Sequence, residues 1–314
     1  MVYLISSLDK KIGMGHSMRC NYLKDAIQKN GINATQLDLM ADQSLDHDYL
    51  SKKIGDNQGN NIFIFDLHHI HIYKELQNLF AELKKSDNFL IGLDCLIELS
   101  YHLDYLWMPT LFIEPEKLKK IACDYRFGLD SILLPSIRNK KYIHSFNEKV
   151  LTICSGAGDV CFLGDWLLDE IIYSEIKHLS KIIWIQGPYA KEPVFSLTKN
   201  LGINIEIIKS PVSLISIMQK SDFILSVYGI TAFEALSCKV PTMVFSPYGN
   251  KDIQNLNALK ELSICDVSLS KNMLVRDLKN FIENSEKHLD IIYNLEQVDF
   301  SAGLRQFVEL VTKK

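Results

Sequence analysis

A histidine flanked by glycines, with an arginine one helical turn later, is the first group in this sequence able to do chemistry. Gly13-Met14-Gly15-His16-Ser17-Met18-Arg19 follows an apolar run at 2–6 after a short loop. Imidazole titrates near neutral pH, so His16 can take a proton from water or a hydroxyl as general base. The glycines allow a bend with close approach to a ligand. Arg19 can pair with a ligand anion or hold a carboxylate in place. A helix-start cap and a solvated charge would use the same residues. Asp66 and Asp94 each close an apolar run, at 61–66 and 89–94. A carboxylate there can orient His16, bind sugar hydroxyls or cap the next turn.

A second constellation lies at 226–241. The run 223–225 reads as a buried strand, and good helix formers follow from Ala232, with Pro241 closing the unit. Ser226, Gly229 and Thr231 fall within six residues at the turn between them. Gly229 lets the backbone turn there. The amides of Ile230, Thr231 and Ala232 are then orphan donors at a helix N-terminus, which favours a phosphate. Glu234, one turn inside, suits two ribose hydroxyls better than a phosphate. The stretch reads as a nucleotide diphosphate seat, or as an ordinary strand–turn–helix unit capped by Thr231 or Ser226. Ser155-Gly156-Ala157-Gly158-Asp159 offers another backbone nest, for phosphate or sugar hydroxyls, or a turn with Asp159 as helix cap. Gln254, Asn255 and Asn257 open a helix where side-chain amides can meet base, sugar or phosphate, or cap the helix. His68-His69-Ile70-His71 looks metal-like, but adjacent histidines seldom converge on one ion and no zinc set completes them. A polar edge, with His68 on sugar hydroxyls, is the expectation, with no metal and no cofactor.

The elements that must position these residues alternate. Strands are expected at 2–6, 33–39, 61–66, 89–94, 105–108 and 131–134, with helices from about Ser17 to Asn30 and over 72–85. A polar, aperiodic stretch at 138–149 reads as a linker. A second series follows: strands at 150–154, 182–185, 203–208, 223–225, 242–245 and 264–267. Its helices are expected at 163–176, 194–201, 212–220, from 253, and at 304–311. Such alternation implies parallel sheets covered on both faces, with ligands beyond the C-terminal strand ends. The expected fold is α/β, two Rossmann-like domains facing a cleft, over 1–138 and 149–314, with the C-terminal helix able to pack back on the first.

Composition narrows the class. In 314 residues, 47% are hydrophobic and 23% charged, enough for a large core. The net charge of −4, without a Lys/Arg cluster, argues against nucleic acid as main partner. Seven scattered cysteines suggest reduced thiols, and no stretch approaches membrane-spanning length. A cytoplasmic enzyme or binding protein without membrane insertion is expected; the oligomeric state is left open.

Taken together, Gly-x-Gly-His-x-x-Arg near the N-terminus, the glycine turn at 156–159 and Ser-x-x-Gly-x-Thr-x-x-Glu-Ala-Leu before a proline resemble the glycosyltransferase-B superfamily. Within it the sequence is most similar to the UDP-sugar hydrolases of the pseudaminic acid pathway and their spore-coat polysaccharide relatives. Asp66, Leu93-Asp94 and Phe127-Gly128 extend the resemblance over nearly the whole chain. It implies hydrolysis of a UDP-linked acetamido deoxy sugar at the anomeric carbon, with release of UDP. His16 would activate or orient the water, and Thr231, Ala232 and Glu234 would bind UDP. The alternative is an inverting glycosyltransferase of the same fold, with an acceptor hydroxyl in place of water. Cys95 after Asp94, Leu67-His68 after Asp66 and Ala157 within the glycine turn depart from the family pattern, chiefly on the sugar side.

Overall fold

The computed structural model describes residues 1–8, 14–40, 43, 45–54, 59–67, 73–94, 96–137, 149–195, 202–246 and 248–314. Gly13, His68, the stretch 138–148 taken for a linker and most of the helix expected at 194–201 lie outside them. The chain divides into two compact units, Met1–Ser136 with Phe300–Lys314, and Ile137–Asp299.

The first unit runs β1 (Val2–Leu8), α1 (Gly15–Lys29), β2 (Ala34–Met40), α2 (His47–Ile54), β3 (Ile62–Asp66), α3 (Tyr73–Lys85), β4 (Phe89–Leu93), β5 (Tyr105–Met108), α4 (Pro115–Leu118) and β6 (Asp124–Phe127). The strands form one parallel sheet in the order β2-β1-β3-β4-β5-β6. All five residues of β3 are buried, as a strand covered on both faces must be. Side chains alternate along it. Phe63 and Phe65 pack with Leu76, Leu79 and Phe80 of α3. Ile62 and Ile64 pack on the other face with Cys20, Leu23 and Ile27 of α1. Asp66 continues the Ile62–Ile64 series, so its carboxylate falls under α1.

Residues 131–134 are not a strand. Ser131 closes a short 3-10 turn, 132–134 follow as a buried segment, and the sixth strand is β6. The chain returns to this unit as α11 (Ala302–Thr312), which lies on that segment. The Trp107 ring meets Phe307 edge-on at 5.0 Å, and its indole N–H donates to Ser131 O at 2.7 Å. A Cβ at Gly303 would come within 2.3 Å of Ile132 O and 2.9 Å of Asp130 O. Helix and segment therefore meet backbone to backbone.

The second unit runs β7 (Lys149–Cys154), α5 (Leu167–Tyr173), β8 (Leu179–Gln186), β9 (Asn204–Lys209), α6 (Leu214–Met218), β10 (Phe223–Val227), α7 (Ile230–Ser237), β11 (Thr242–Phe245), α8 (Ile253–Leu262), β12 (Asp266–Ser268), α9 (Leu274–Glu283) and α10 (Ser285–Glu296). The sheet is parallel, in the order β12-β11-β10-β7-β8-β9. The sequence expectations lacked α9 and α10. Leu274, Leu278, Phe281 and Ile282 seat the first, and His288, Ile291 and Leu295 the second.

Strand order fixes where ligands can bind. Connections from a first strand depart to opposite sides at a topological switch point, opening a crevice at the C-terminal strand ends. In the first sheet that point lies between β1 and β3, and in the second between β7 and β10. We expect Gly303→Val, which drives side-chain atoms into the Asp130–Ile132 backbone, to cost about 1–3 kcal/mol by overpacking. A lower guanidinium midpoint for the variant would check this; an unchanged midpoint would contradict the backbone-on-backbone packing.

Candidate active site

At the first switch point three polar residues stand in a row across the sheet. Ser6 of β1 is registered with Asp38 of β2 and with Asp66 of β3. Asp66 is wholly buried. An isolated buried carboxylate is costly, so it must be paired. The first two turns of α1 supply the partners. His16 Nδ1 donates to Asp66 Oδ1 at 2.6 Å. Arg19 grips both oxygens, Nε to Oδ2 at 2.7 Å and Nη2 to Oδ1 at 2.6 Å. Helix α1 begins at Gly15, two residues before the expected start. His16 and Arg19 are thereby one turn apart on one helix face.

Burial alone would raise the Asp66 pKa. The Arg19 charge, then His16 and the hydrogen bonds from both, outweigh it and hold the carboxyl well below the usual carboxylate range. Burial likewise works against the Arg19 cation, but Asp66 and then Asp94 hold it charged. An ionised Asp66 requires the proton on Nδ1, which makes Nε2 the basic nitrogen of the neutral ring. His16 keeps 12% of its side-chain surface exposed, whereas Asp66 keeps none. Of the roles open to Asp66, the geometry fits orientation of His16 and removes direct contact with a ligand. Arg19 holds carboxylates.

Asp94 follows β4 in the left-handed region, at φ 63°, and its amide donates to Trp107 O at 3.0 Å. Its carboxylate is 38% exposed and 3.3 Å from Arg19 Nη2. Asp94, unlike Asp66, is therefore open to a ligand. Gly15 has ordinary helical backbone, and a Cβ there would meet no atom within 4 Å.

At the second switch point the chemistry is mostly backbone. Gly229 adopts φ 143°, ψ −167°, a region kept for glycine. Ala232 and Phe233 donate to Gly229 O, so the amides of Ile230 and Thr231 stand ahead of the first helical hydrogen bonds of α7. Two residues expected to bind nucleotide shape this seat instead. Ser226 is fully buried and its hydroxyl turns to Val227 O at 3.1 Å; Ala232 is fully buried with its amide in use.

The turn after β7 lies alongside. Gly156 takes φ 87°, and a Cβ there would lie 3.3 Å from Val227 of β10. Asp159 caps its own turn: its carboxylate accepts from Leu163 N at 3.0 Å and Gly164 N at 2.8 Å. The capping alternative thus holds there, and Asp159 is not available to a ligand. Gly158 lies in the same turn. Gln254 and Asn257 lie on α8, exposed and half-buried.

Sequence reasoning missed two features of this edge. Ser155 is 1% exposed, and its hydroxyl has no hydrogen-bond partner among the described residues. A Cβ at Gly187, after β8, would come within 2.4 Å of the carbonyls of Gly156 and Ala157, so two turns touch through backbone. A serine at a strand end is a weak signal, and a contact spanning thirty residues leaves none. Glu234 is only 5% exposed. Burial first, and then this carboxylate, push up the Cys154 and Cys238 thiols, which pack in one cluster with Ala235 of α7.

Among the described residues, no group of three His, Cys, Asp or Glu is arranged to hold a metal ion, and no helix is long and apolar enough to cross a membrane.

No family model matches the sequence, and no curated protein does. The resemblance to UDP-sugar hydrolases therefore rests on its motifs alone. Solved structures do match. MurG of Acinetobacter baumannii superposes with a TM-score of 0.65 at 11% identity, covering 100% of this chain and 99% of its own. CalG4, the calicheamicin glycosyltransferase, gives 0.60 at 9%, covering 99% and 97%. UGT2 of Phytolacca americana, complexed with UDP-2-fluoro-glucose and pterostilbene, gives 0.56 at 10%, covering 99% of each chain. The fold is the glycosyltransferase-B fold, two Rossmann-like domains.

Asp66→Asn is expected to leave Arg19 with only the longer pair to Asp94, at a cost of up to about 3–5 kcal/mol. A carboxyl whose pKa is depressed on folding stabilises above its unfolded pKa, and that contribution is lost as the pH falls. The stability gap between wild type and variant should be full at pH 6–7 and shrink below about pH 4. Urea midpoints across that range measure it; a gap independent of pH would contradict an ionised Asp66.

Proposed function

We propose that this protein binds a nucleoside diphosphate sugar and transfers the sugar to an acceptor hydroxyl, with His16 as general base. The observation that carries the reading is the His16–Asp66 pair. A buried, ionised carboxylate fixes the Nδ1–H form of the ring, and its other nitrogen is then a base of known direction. The acceptor oxygen attacks the anomeric carbon as its proton passes to Nε2. The bond from that carbon to the diphosphate breaks, and its electron pair leaves on the diphosphate oxygen. Attack opposite the leaving group inverts the anomeric carbon. Asp94, paired with Arg19 and 38% exposed, would hold a sugar hydroxyl in this reading.

The diphosphate belongs on the amides of Ile230 and Thr231 and the glycine turn beside them, with Glu234 accepting from the ribose. Charge growing on the leaving group is met there by aligned backbone dipoles. UDP is the nucleotide that the motif resemblance suggests. Transfer is preferred to hydrolysis because proteins of this fold named above include a calicheamicin glycosyltransferase. Fold by itself does not fix function, so the acceptor needs a direct test. Cys20, Cys123, Cys154, Cys238 and Cys265 carry free thiols, which suits a reducing, cytoplasmic setting.

Incubation with UDP- and CMP-sugars, with and without a pool of glycan and lipid acceptors, followed by phosphorus NMR, tests this. Nucleotide release that depends on acceptor supports transfer; equal release without acceptor replaces it with hydrolysis; neither binding nor release overturns the whole reading. His16→Ala should lower kcat by about 10²–10⁴-fold, with UDP affinity unchanged by calorimetry. Glu234→Gln should weaken UDP while sparing pyrophosphate.

A further inference from the structure

The turn from Asp159 to Gly164 presents an aromatic side chain to solvent at a conformational cost. Phe162 is 61% exposed, yet its backbone lies in the left-handed region at φ 52°. Bulky residues avoid that region, where glycine or asparagine rest comfortably. The turn is held rigidly. Phe162 N donates to Asp159 O at 2.8 Å, and the Asp159 carboxylate takes the next two amides. A Cβ at Gly164 would lie 3.1 Å from Asp159 Oδ2 and 3.3 Å from Pro193. A strained, fixed and exposed aromatic gains the fold nothing, so its use lies in what it meets.

Its position indicates what that is. The turn leaves β7 beside the buried, unpartnered hydroxyl of Ser155 and runs toward the ends of β11 and β12. Cys161 Sγ lies 3.9 Å from Ser246 O, and Lys271 Nζ reaches Cys161 O at 3.4 Å. Tyr248, 51% exposed, stands beside Ser246, whose hydroxyl accepts its amide at 3.0 Å. Glu234, by contrast, lies on α7, whose Ala235 and C-cap Cys238 pack in one cluster with Cys154 at the end of β7. A nucleotide sugar whose diphosphate sits on α7 and whose ribose meets Glu234 has its nucleoside toward β7 and β8. Its sugar then extends the other way, toward β11, where the turn carrying Phe162 meets Ser246 and α8 begins.

We propose that Phe162 is the platform on which the sugar of the nucleotide sugar packs its C–H face. The ring excludes water from that face, while hydroxyls and acetamido groups turn to the polar side chains around it. This assignment rests on the nucleotide-sugar reading given above.

The test compares Phe162→Asn with wild type, using UDP, UDP-glucose and UDP-N-acetylglucosamine in calorimetry, with a melting curve of each free protein. Asparagine suits the left-handed backbone, so the variant should fold and melt no lower than wild type. UDP affinity should be unchanged, while the better-bound sugar nucleotide loses about three- to tenfold. Equal weakening of UDP and UDP-sugar, or a variant that binds both as wild type does, would overturn the platform and leave the nucleotide-sugar reading standing. Wild type binding none of the three would overturn both. A marked drop in melting temperature would give Phe162 a packing role and also defeat the proposal.

Discussion

A carboxylate with no exposed surface sits at the end of β3, and much of the first unit answers to it. The two-residue period of a strand sends Asp66 to the face that α1 covers, below Ile62 and Ile64. In water the charge would cost nothing; under a helix it must be met by donors and a cation. The first turns of α1 meet it with His16 and Arg19, three residues apart. One ion pair therefore fixes the height and rotation of that helix end. It also fixes the proton on the imidazole and ties the arginine to two carboxylates. Positioning of His16 and stability of the fold are here one interaction.

How much of this was legible beforehand depends on how local each cause is. The row of strands ending in carboxylates could be read because buried parallel strands are unbroken apolar runs. The pairing of His16 with Asp66 could be named only as one of several roles, since it joins residues fifty apart. The strand β6 was missed because an edge strand reading Asp-Tyr-Arg-Phe is half-exposed and lacks an apolar run. Residues 131–134 carried that run and were taken for the strand. Their apolar side chains are instead buried in the segment below α11, whose close approach Gly303 permits. Ser226 and Ala232 illustrate another limit. Their types suit a phosphate seat, but depth within the sheet decides which atoms reach the surface.

In each unit, taken by itself, the crevice lies at the C-terminal edge of its own sheet, reached by different strand orders. The first follows 2-1-3-4-5-6 and the second, counted from β7, 6-5-4-1-2-3, yet each opens its crevice beside its first strand. What they place there differs in kind. The first offers side chains around the shared row of Asp38, Ser6 and Asp66, in which the buried Asp66 is held ionised by neighbouring charge. The second offers amides, freed by glycines at 156 and 229 and braced by the contact of Gly187 with the neighbouring turn.

Under the proposed function, that difference follows from what each task tolerates. A proton acceptor needs one atom with a chosen pKa, which a side chain in a charged, buried setting provides. A diphosphate spreads its charge over several oxygens and is better met by several fixed dipoles that cannot titrate. Backbone amides have no identity to conserve, so such a seat survives almost any replacement of the side chains around it. A fold shared at about a tenth identity with MurG is compatible with this, because strand order and turn geometry are the parts that must persist. The residues that a sequence can vary freely are then those on the rim. It is there, at a phenylalanine held in an uncomfortable backbone, that this chain departs from the minimum its fold requires.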